Sequence, residues 1–454
     1  MAYVSVNPAT GETYATFEEH DAAEVDRRLG LAKSAFDQWK HVNLEQRRRF
    51  MITAAELLEG ELPVQAEALT REMGKTFAAA KGEVAKCAMT MRYYADNAAS
   101  MLADQEIASP ASRSGVRYEP LGPVLAVMPW NFPLWQAVRF AAPALMAGNV
   151  VVLKHASNVP NAALAMEDLF RRAGFPEGCF VNLFIGSARV ADVIRDERIV
   201  AVTLTGSERA GEAVAATAGS VLKKCVLELG GSDPFVIADS ADLDLTVPMA
   251  VNGRVQNNGQ SCIAAKRFIV VESRADEFIE RFSAAMRDLT VGDPMDPATN
   301  VGPLVSAAQR EEIAGQVAES VAKGAVVTAG GKAVDGPGFF YEPTVLTNVT
   351  DEMRAGCEEL FGPVAVVYVA RDLEHAAEIA NSTPWGLGAS IWATDDAEQR
   401  FGIENLSAGM VFVNQIVGST PELPFGGIGR SGYGRELSAV GMYEFCNQKT
   451  FYVA

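Results

Sequence analysis

From residue 122 onward the chain alternates short runs of Val, Ile and Leu with amphipathic stretches, and this alternation limits the available folds more than any other feature. Strand-like runs at 122–129, 149–155, 179–185, 199–205 and 223–229 are separated by helical periodicity at 135–146, 160–173, 188–195 and 208–218. A strand, a helix and a further strand close in parallel, because a parallel crossover needs a long connection and a helix supplies it. Helices on both faces leave no polar side, which accounts for strands that are apolar almost throughout. The series predicts an α/β chain with a doubly wound parallel sheet, whose ligands sit beyond the carboxyl ends of the strands.

A second α/β series follows. Its strand-like runs lie at 234–238, 267–272, 363–370, 388–393 and 409–413, and its helical stretches at 242–256, 275–289, 373–381 and 396–405. Between them, 290–362 reads as a long loop region. Residues 20–110 read mainly as helices, with apolar positions at helical spacing in 44–58, 62–73 and 77–102, and are expected to cover one face of the first sheet. The segments 110–120 and 443–454 fall outside both series and are apolar enough to pair as strands. At 454 residues the chain exceeds what one core usually supports, so two or three packed domains are expected. The first residues, MAYVSVNPATGE, have neither a basic region nor an apolar signal core, and no uninterrupted apolar run is long enough to span a membrane. A cytoplasmic protein is expected.

The formal net charge of −18 repels nucleic acid and anionic membranes, so neither is an expected partner. An anionic small molecule would need a local cation. The six cysteines, at 87, 179, 225, 262, 357 and 446, show neither metal-ligand spacing nor a dense framework, so no bound metal and no structural disulfide is expected. A special cysteine would act by its own chemistry.

Cys262 stands in NNGQSCIAAKR, after a small polar loop and before an Ala-rich run leading to a strand, which places it on an accessible turn where a thiolate can react. Glu228, in CVLELGGSDPFV, ends a strand just before two glycines, where an ordinary core strand prefers an apolar residue. Asn131, in VMPWNFPLWQ, ends another, beside Trp130 and flanked by Pro129 and Pro133; a neutral amide held in one direction suits an oxyanion. Thr205, Gly206 and Ser207 close a strand and open a helix, where backbone N–H groups can face a pyrophosphate, and Lys154 ends the run at 149–155. Each has an ordinary alternative: an inert thiol, a solvated carboxylate, a turn asparagine, a conformational glycine, a surface lysine.

Taken in order, PWNFPLW, LKHA, TGS, ELGG, GQSC, EELFGPV and PFGGIGRSGYGRE, with NPATGE and EMGK nearer the N-terminus, resemble the aldehyde dehydrogenase superfamily over nearly the whole chain. The resemblance implies a Rossmann-type dinucleotide-binding domain from 1–108 and 121–227 and an α/β catalytic domain from 228–426. It also implies an oligomerisation β-element from 109–120 and 427–454, and a homodimer or homotetramer. Position by position, it makes Cys262 the nucleophile and Glu228 the general base. The Asn131 amide and the Cys262 backbone N–H then form the oxyanion hole. Toward the cofactor it implies Lys154 at the adenosine ribose, Gly206 and Ser207 at the pyrophosphate, Glu359 at the nicotinamide ribose, and Phe361 and Trp130 beside the nicotinamide. The chemistry implied is attack of Cys262 on an aldehyde, loss of hydride from the thiohemiacetal to the nicotinamide, and hydrolysis of the thioester by a water that Glu228 deprotonates. A cysteine-protease reading fails, because none of the four histidines lies in the Cys262 or Glu228 segments.

Many NAD-preferring members carry a glutamate three residues after the ribose lysine. Ser157 stands there in this chain and removes the repulsion of a 2′-phosphate, so NADP is the preferred cofactor and NAD an alternative. The motifs look most like the branch that oxidises succinate semialdehyde, which implies Arg139 as the partner of the substrate carboxylate and Ser419 as a second hydrogen-bond donor. Two positions depart from that pattern. Gln256 stands where some semialdehyde enzymes carry another arginine, and Ala264 where certain relatives carry a cysteine that can form a disulfide with the nucleophile. The alternatives are a broad-specificity medium-chain or aromatic aldehyde dehydrogenase, with Arg139 in solvent and Trp135 and Phe425 lining an apolar tunnel, and a non-catalytic protein on the same fold.

Overall fold

A computed structural model describes residues 3–454. The first sheet runs Phe180–Asn182, Val150–His155, Pro123–Met128, Ala201–Thr205, Lys224–Glu228 and Gly432–Tyr433, parallel except for the last strand. Successive strands step to one side of Pro123–Met128 and then to the other. The chain therefore leaves two neighbouring strand ends in opposite directions, and a crevice opens between them. Helix Trp135–Ala147 follows the first of these strands and is buried at every position, in keeping with a sequence that is apolar nearly all round.

The second sheet runs Val326–Ala329, Thr344–Thr347, Val364–Ala370, Arg267–Val271, Pro234–Ile237, Gly388–Trp392 and Met410–Val413, with only the first pairing antiparallel. The region expected as loop, 290–362, in fact supplies two of these strands and the helix Ala307–Ala322. Its Ser306 cap accepts a hydrogen bond from the Gln309 backbone N–H at 3.1 Å, and Ile313 and Val317 form a narrow buried stripe on it. A hairpin, Tyr3–Val6 with Thr13–Phe17, also lies outside the predicted series.

The two segments expected to pair do so: Arg113–Pro120 runs antiparallel to Cys446–Val453, and Gln105–Glu106 completes that sheet. The chain before Cys446 goes elsewhere. Gly432–Tyr433 sits at the edge of the first sheet beside Glu228, and helix Ser438–Tyr443 packs on helix Trp135–Ala147. Among the described residues no helix is long and apolar enough to cross a membrane.

Candidate active site

The turn that presents Cys262 is built from three successive left-handed residues, Asn257, Asn258 and Gly259, with φ of 54°, 57° and 75°. Asparagine tolerates this conformation through its short polar side chain. Gly259 is required on a second ground, because a Cβ there would lie 2.3 Å from the Gly362 carbonyl carbon. Side chains pin the turn. Asn257 Nδ2 donates to the Asn131 carbonyl at 2.8 Å, and Asn258 Nδ2 donates to the carbonyls of Gly74 and Pro303 at 2.8 and 3.0 Å. Lys266 Nζ donates to the Ser261 and Cys262 carbonyls at 3.0 and 2.6 Å and pairs with Glu359 at 3.1 Å. Burial pushes the Cys262 thiol up to about 12, against the opposing charges of Arg139 and Lys266. At neutral pH the resting group is a thiol, and its reaction needs a base.

Asn131 follows strand Pro123–Met128 and turns its amide onto the nucleophile's loop, donating to the Gln260 carbonyl at 3.1 Å. Its own carbonyl also receives Lys75 Nζ at 3.0 Å. Lys75 is fully buried and paired with Glu83, which in turn accepts the backbone N–H groups of Leu134 and Trp135 at 2.9 and 3.0 Å. The residue is thus held through both its side chain and its backbone. Glu228 closes strand Lys224–Glu228 and is buried, and among the described residues neither carboxyl oxygen has a hydrogen-bond partner. Burial first, and the Glu436 charge second, hold its carboxyl well above the usual range. An unpaired buried carboxyl is costly to ionise, and the raised proton affinity that results suits a group that accepts a proton.

Two cavities meet at Cys262, which with Gln136 lines both, whereas Glu228 lines neither. One, of about 270 Å³, is walled by Trp130, Asn131, Gly206, Ser207, Leu229, Gly230, Glu359 and Phe361. The rings of Trp130 and Phe361 stand edge to face at 5.6 Å. Ser207 caps helix Glu208–Ser220, and Glu359 accepts the Gly231 N–H at 3.2 Å. A Cβ on Gly230 would lie 2.5 Å from the Glu359 carboxylate, so this wall stays open only with glycine. An aromatic wall beside a helix N-terminus fits a dinucleotide. Lys154 ends strand Val150–His155, and Ser157 lies exposed three residues on. Ser157 does not cap the next helix: the Asn161 and Ala162 N–H groups go to Glu72, each at 3.0 Å.

The second cavity, of about 240 Å³, is walled by Lys86, Trp135, Arg139, Gln256, Ser419 and Phe425. Arg139 is 1% exposed, so it does not face solvent as the broad-specificity alternative requires. Nor does it stand free for a substrate, because its guanidinium is in ion-pair contact with Glu436 and lies 4.3 Å from the Phe425 ring centroid. Sequence reasoning missed Lys75, Glu83, Lys86, Lys266 and Glu436. A usable signal was present in helix Phe77–Met101, where Glu83, Lys86 and Thr90 recur at helical spacing within the apolar stripe.

The geometry agrees with the relatives. The Aldehyde dehydrogenase family matches residues 2–451. The chain is 54% identical over 457 residues to the NADP(+) succinate-semialdehyde dehydrogenase 1 of Mycobacterium tuberculosis, with 100% of both chains covered. It is equally similar to the NADP(+) succinate-semialdehyde dehydrogenase of Mycobacterium leprae, at 54% with the same coverage. Among solved structures, the succinic semialdehyde dehydrogenase of Streptococcus pyogenes in complex with NADP+ superposes with a TM-score of 0.98, at 39% identity and 100% coverage of both chains. The chain belongs to the aldehyde dehydrogenase family.

Proposed function

We propose that this chain oxidises succinate semialdehyde to succinate, with NADP as the preferred acceptor and NAD as an alternative. The observation that carries this reading is the meeting of two cavities at Cys262: one is shaped for a dinucleotide, and the other ends in cationic and hydrogen-bonding side chains. Full-length similarity to NADP(+) succinate-semialdehyde dehydrogenases supports the choice of aldehyde and cofactor.

Each residue has one task. Glu228 takes the proton of the Cys262 thiol, and Sγ bonds to the aldehyde carbon. The oxygen that then carries the negative charge is held by the Asn131 amide and the Cys262 backbone N–H. The bound dinucleotide supplies the hydride acceptor for the oxidation of that carbon. Once Glu228 has passed the thiol proton to solvent, it removes a proton from the water that attacks the thioester; the C–S bond breaks, the Cys262 thiolate recovers a proton, and succinate leaves. Trp130 and Phe361 keep water from the nicotinamide side, Glu359 holds its ribose, and Gly206 and Ser207 receive the pyrophosphate. Lys154 and Ser157 hold the adenosine ribose and its 2′-phosphate. On the aldehyde side Ser419 hydrogen-bonds the substrate carboxylate, while Glu436 occupies the Arg139 guanidinium that the sequence marks for it. The same reading makes the enzyme a cytoplasmic homodimer or homotetramer assembled through the sheet that contains Arg113–Pro120 and Cys446–Val453.

Initial rates with succinate semialdehyde and with pentanal, each with NADP and with NAD, test the proposal. The semialdehyde with NADP is expected to be fastest; preference for pentanal with both cofactors would overturn it.

A further inference from the structure

The cations around Cys262 fall into two classes. Lys75 is paired with Glu83, Lys266 with Glu359 and Arg139 with Glu436. Lys86 is different: among the described residues no carboxylate is in ion-pair contact with it, and Arg254, which shares that property, donates to the Gly259 carbonyl and does not line the cavity. It projects from helix Phe77–Met101, half-buried, with its ammonium 4.3 Å from the Trp135 ring centroid and donating to Ser419 Oγ at 2.7 Å. A largely desolvated cation without a counter-charge is unfavourable, and a ligand that brings a carboxylate relieves it.

Two further donors share its cavity. Ser419 Oγ accepts from Lys86, which leaves its own O–H free to donate. Gln256 Nε2 is buried and has no hydrogen-bond partner among the described residues. On the premise that the substrate is an aldehyde bearing a carboxylate, we propose that Lys86 is the cation that receives this carboxylate, with Ser419 and Gln256 completing its seat. Cys262 lines the same cavity, so a short substrate can present its carbonyl to Sγ and its carboxylate to Lys86. In a chain of net charge −18 this local cation makes an anionic substrate acceptable. Gln256 belongs to the same seat as an uncharged donor, with the charge supplied from a different helix.

The groups facing Lys86 are Arg139, Glu83 and Cys87. Burial, with Arg139 second, lowers its ammonium to about 8, while Cys87 and Glu83 oppose the shift. The charged form that binds a carboxylate is present below that pH and is lost above it.

The test compares kcat/KM for succinate semialdehyde and pentanal, with NADP at pH 7, in wild type, Lys86→Met and Lys86→Arg. Lys86→Met is expected to lower the semialdehyde-to-pentanal ratio by about 10- to 100-fold, mainly through KM, and Lys86→Arg to restore most of it. An unchanged ratio in Lys86→Met, or equal losses with both aldehydes, overturns the role of Lys86 and leaves the semialdehyde reading standing. Absence of any semialdehyde preference in wild type defeats that reading, and this proposal with it. If Lys86→Met does not fold, the wild-type ratio measured against pH decides. A fall as pH rises through about 8 supports Lys86, and a flat ratio overturns it.

Discussion

The two cavities that share Cys262 are built by different means. Most of the cofactor side is made from the ends of neighbouring strands of the first sheet, Trp130 and Asn131 after Pro123–Met128, Gly206 and Ser207 after Ala201–Thr205, and Leu229 and Gly230 after Lys224–Glu228, with Glu359 and Phe361 closing it from the segment before Val364–Ala370. The aldehyde side is made from faces of two helices and two loops, with Lys86, Trp135, Arg139, Gln256 and Ser419 drawn from distant parts of the chain. Backbone topology therefore fixes where the chemistry occurs, and side chains on helices decide which aldehyde reaches it.

Substitutions that belong to one side, or to the seam between them, can break or sharpen this contrast. The largest effect belongs to the seam. Cys262→Ala is expected to lower kcat by about 10⁴-fold or more with both aldehydes, while titration of the cofactor fluorescence still shows binding. Asn131→Ala should cost about 10²- to 10³-fold in kcat, again irrespective of the aldehyde, as steady-state rates would show. Arg139→Met leaves Glu436 buried beside Glu228 without its counter-charge. It should destabilise the fold by about 3 kcal/mol in denaturant titration, and lower activity toward both aldehydes together. A loss confined to the semialdehyde would instead return the carboxylate to Arg139. The smallest effect lies on the cofactor side, where Ser157→Glu should lower kcat/KM for NADP relative to NAD by about tenfold or more and leave the aldehyde ratio unchanged.

The contrast also explains what sequence could reveal. Glu228 and Asn131 were legible because a polar residue at the end of an apolar strand is anomalous, and Cys262 because it follows a run of Asn and Gly that forces a turn. The apolar strand runs were legible for the same reason that they are buried. Lys86 was not, since a lysine on a helix normally points to water, and only the approach of Trp135 and Ser419 gives it a cavity to face. Arg139 was placed correctly on its helix, but Glu436 is almost 300 positions away in sequence, and no spacing rule connects them. Helix Ala307–Ala322 was missed because Ile313 and Val317 are too narrow an apolar stripe to show a period, although its Ala, Glu and Gln favour a helix and Ser306 followed by Gln309 marks a capped start.

The protonation states of the seam should be visible as well. Burial raises Cys262 to about 12 and holds Glu228 above the ordinary carboxylate range, so the reactive forms of both gain population as pH rises. Rates with pentanal should increase from neutral toward alkaline pH. Those with succinate semialdehyde should increase less as Lys86 discharges.

The most direct test of the central claim, that Cys262 forms the covalent intermediate and Glu228 drives its hydrolysis, is intact-protein and peptide mass spectrometry of Glu228→Gln mixed with succinate semialdehyde and NADP. Attack then rests on the small thiolate fraction and hydrolysis lacks its base, so a slow NADPH release that stops at one equivalent, with a succinyl group held on the peptide containing Cys262, is the predicted result. NADPH formed with no adduct, or an adduct on another residue, would contradict it.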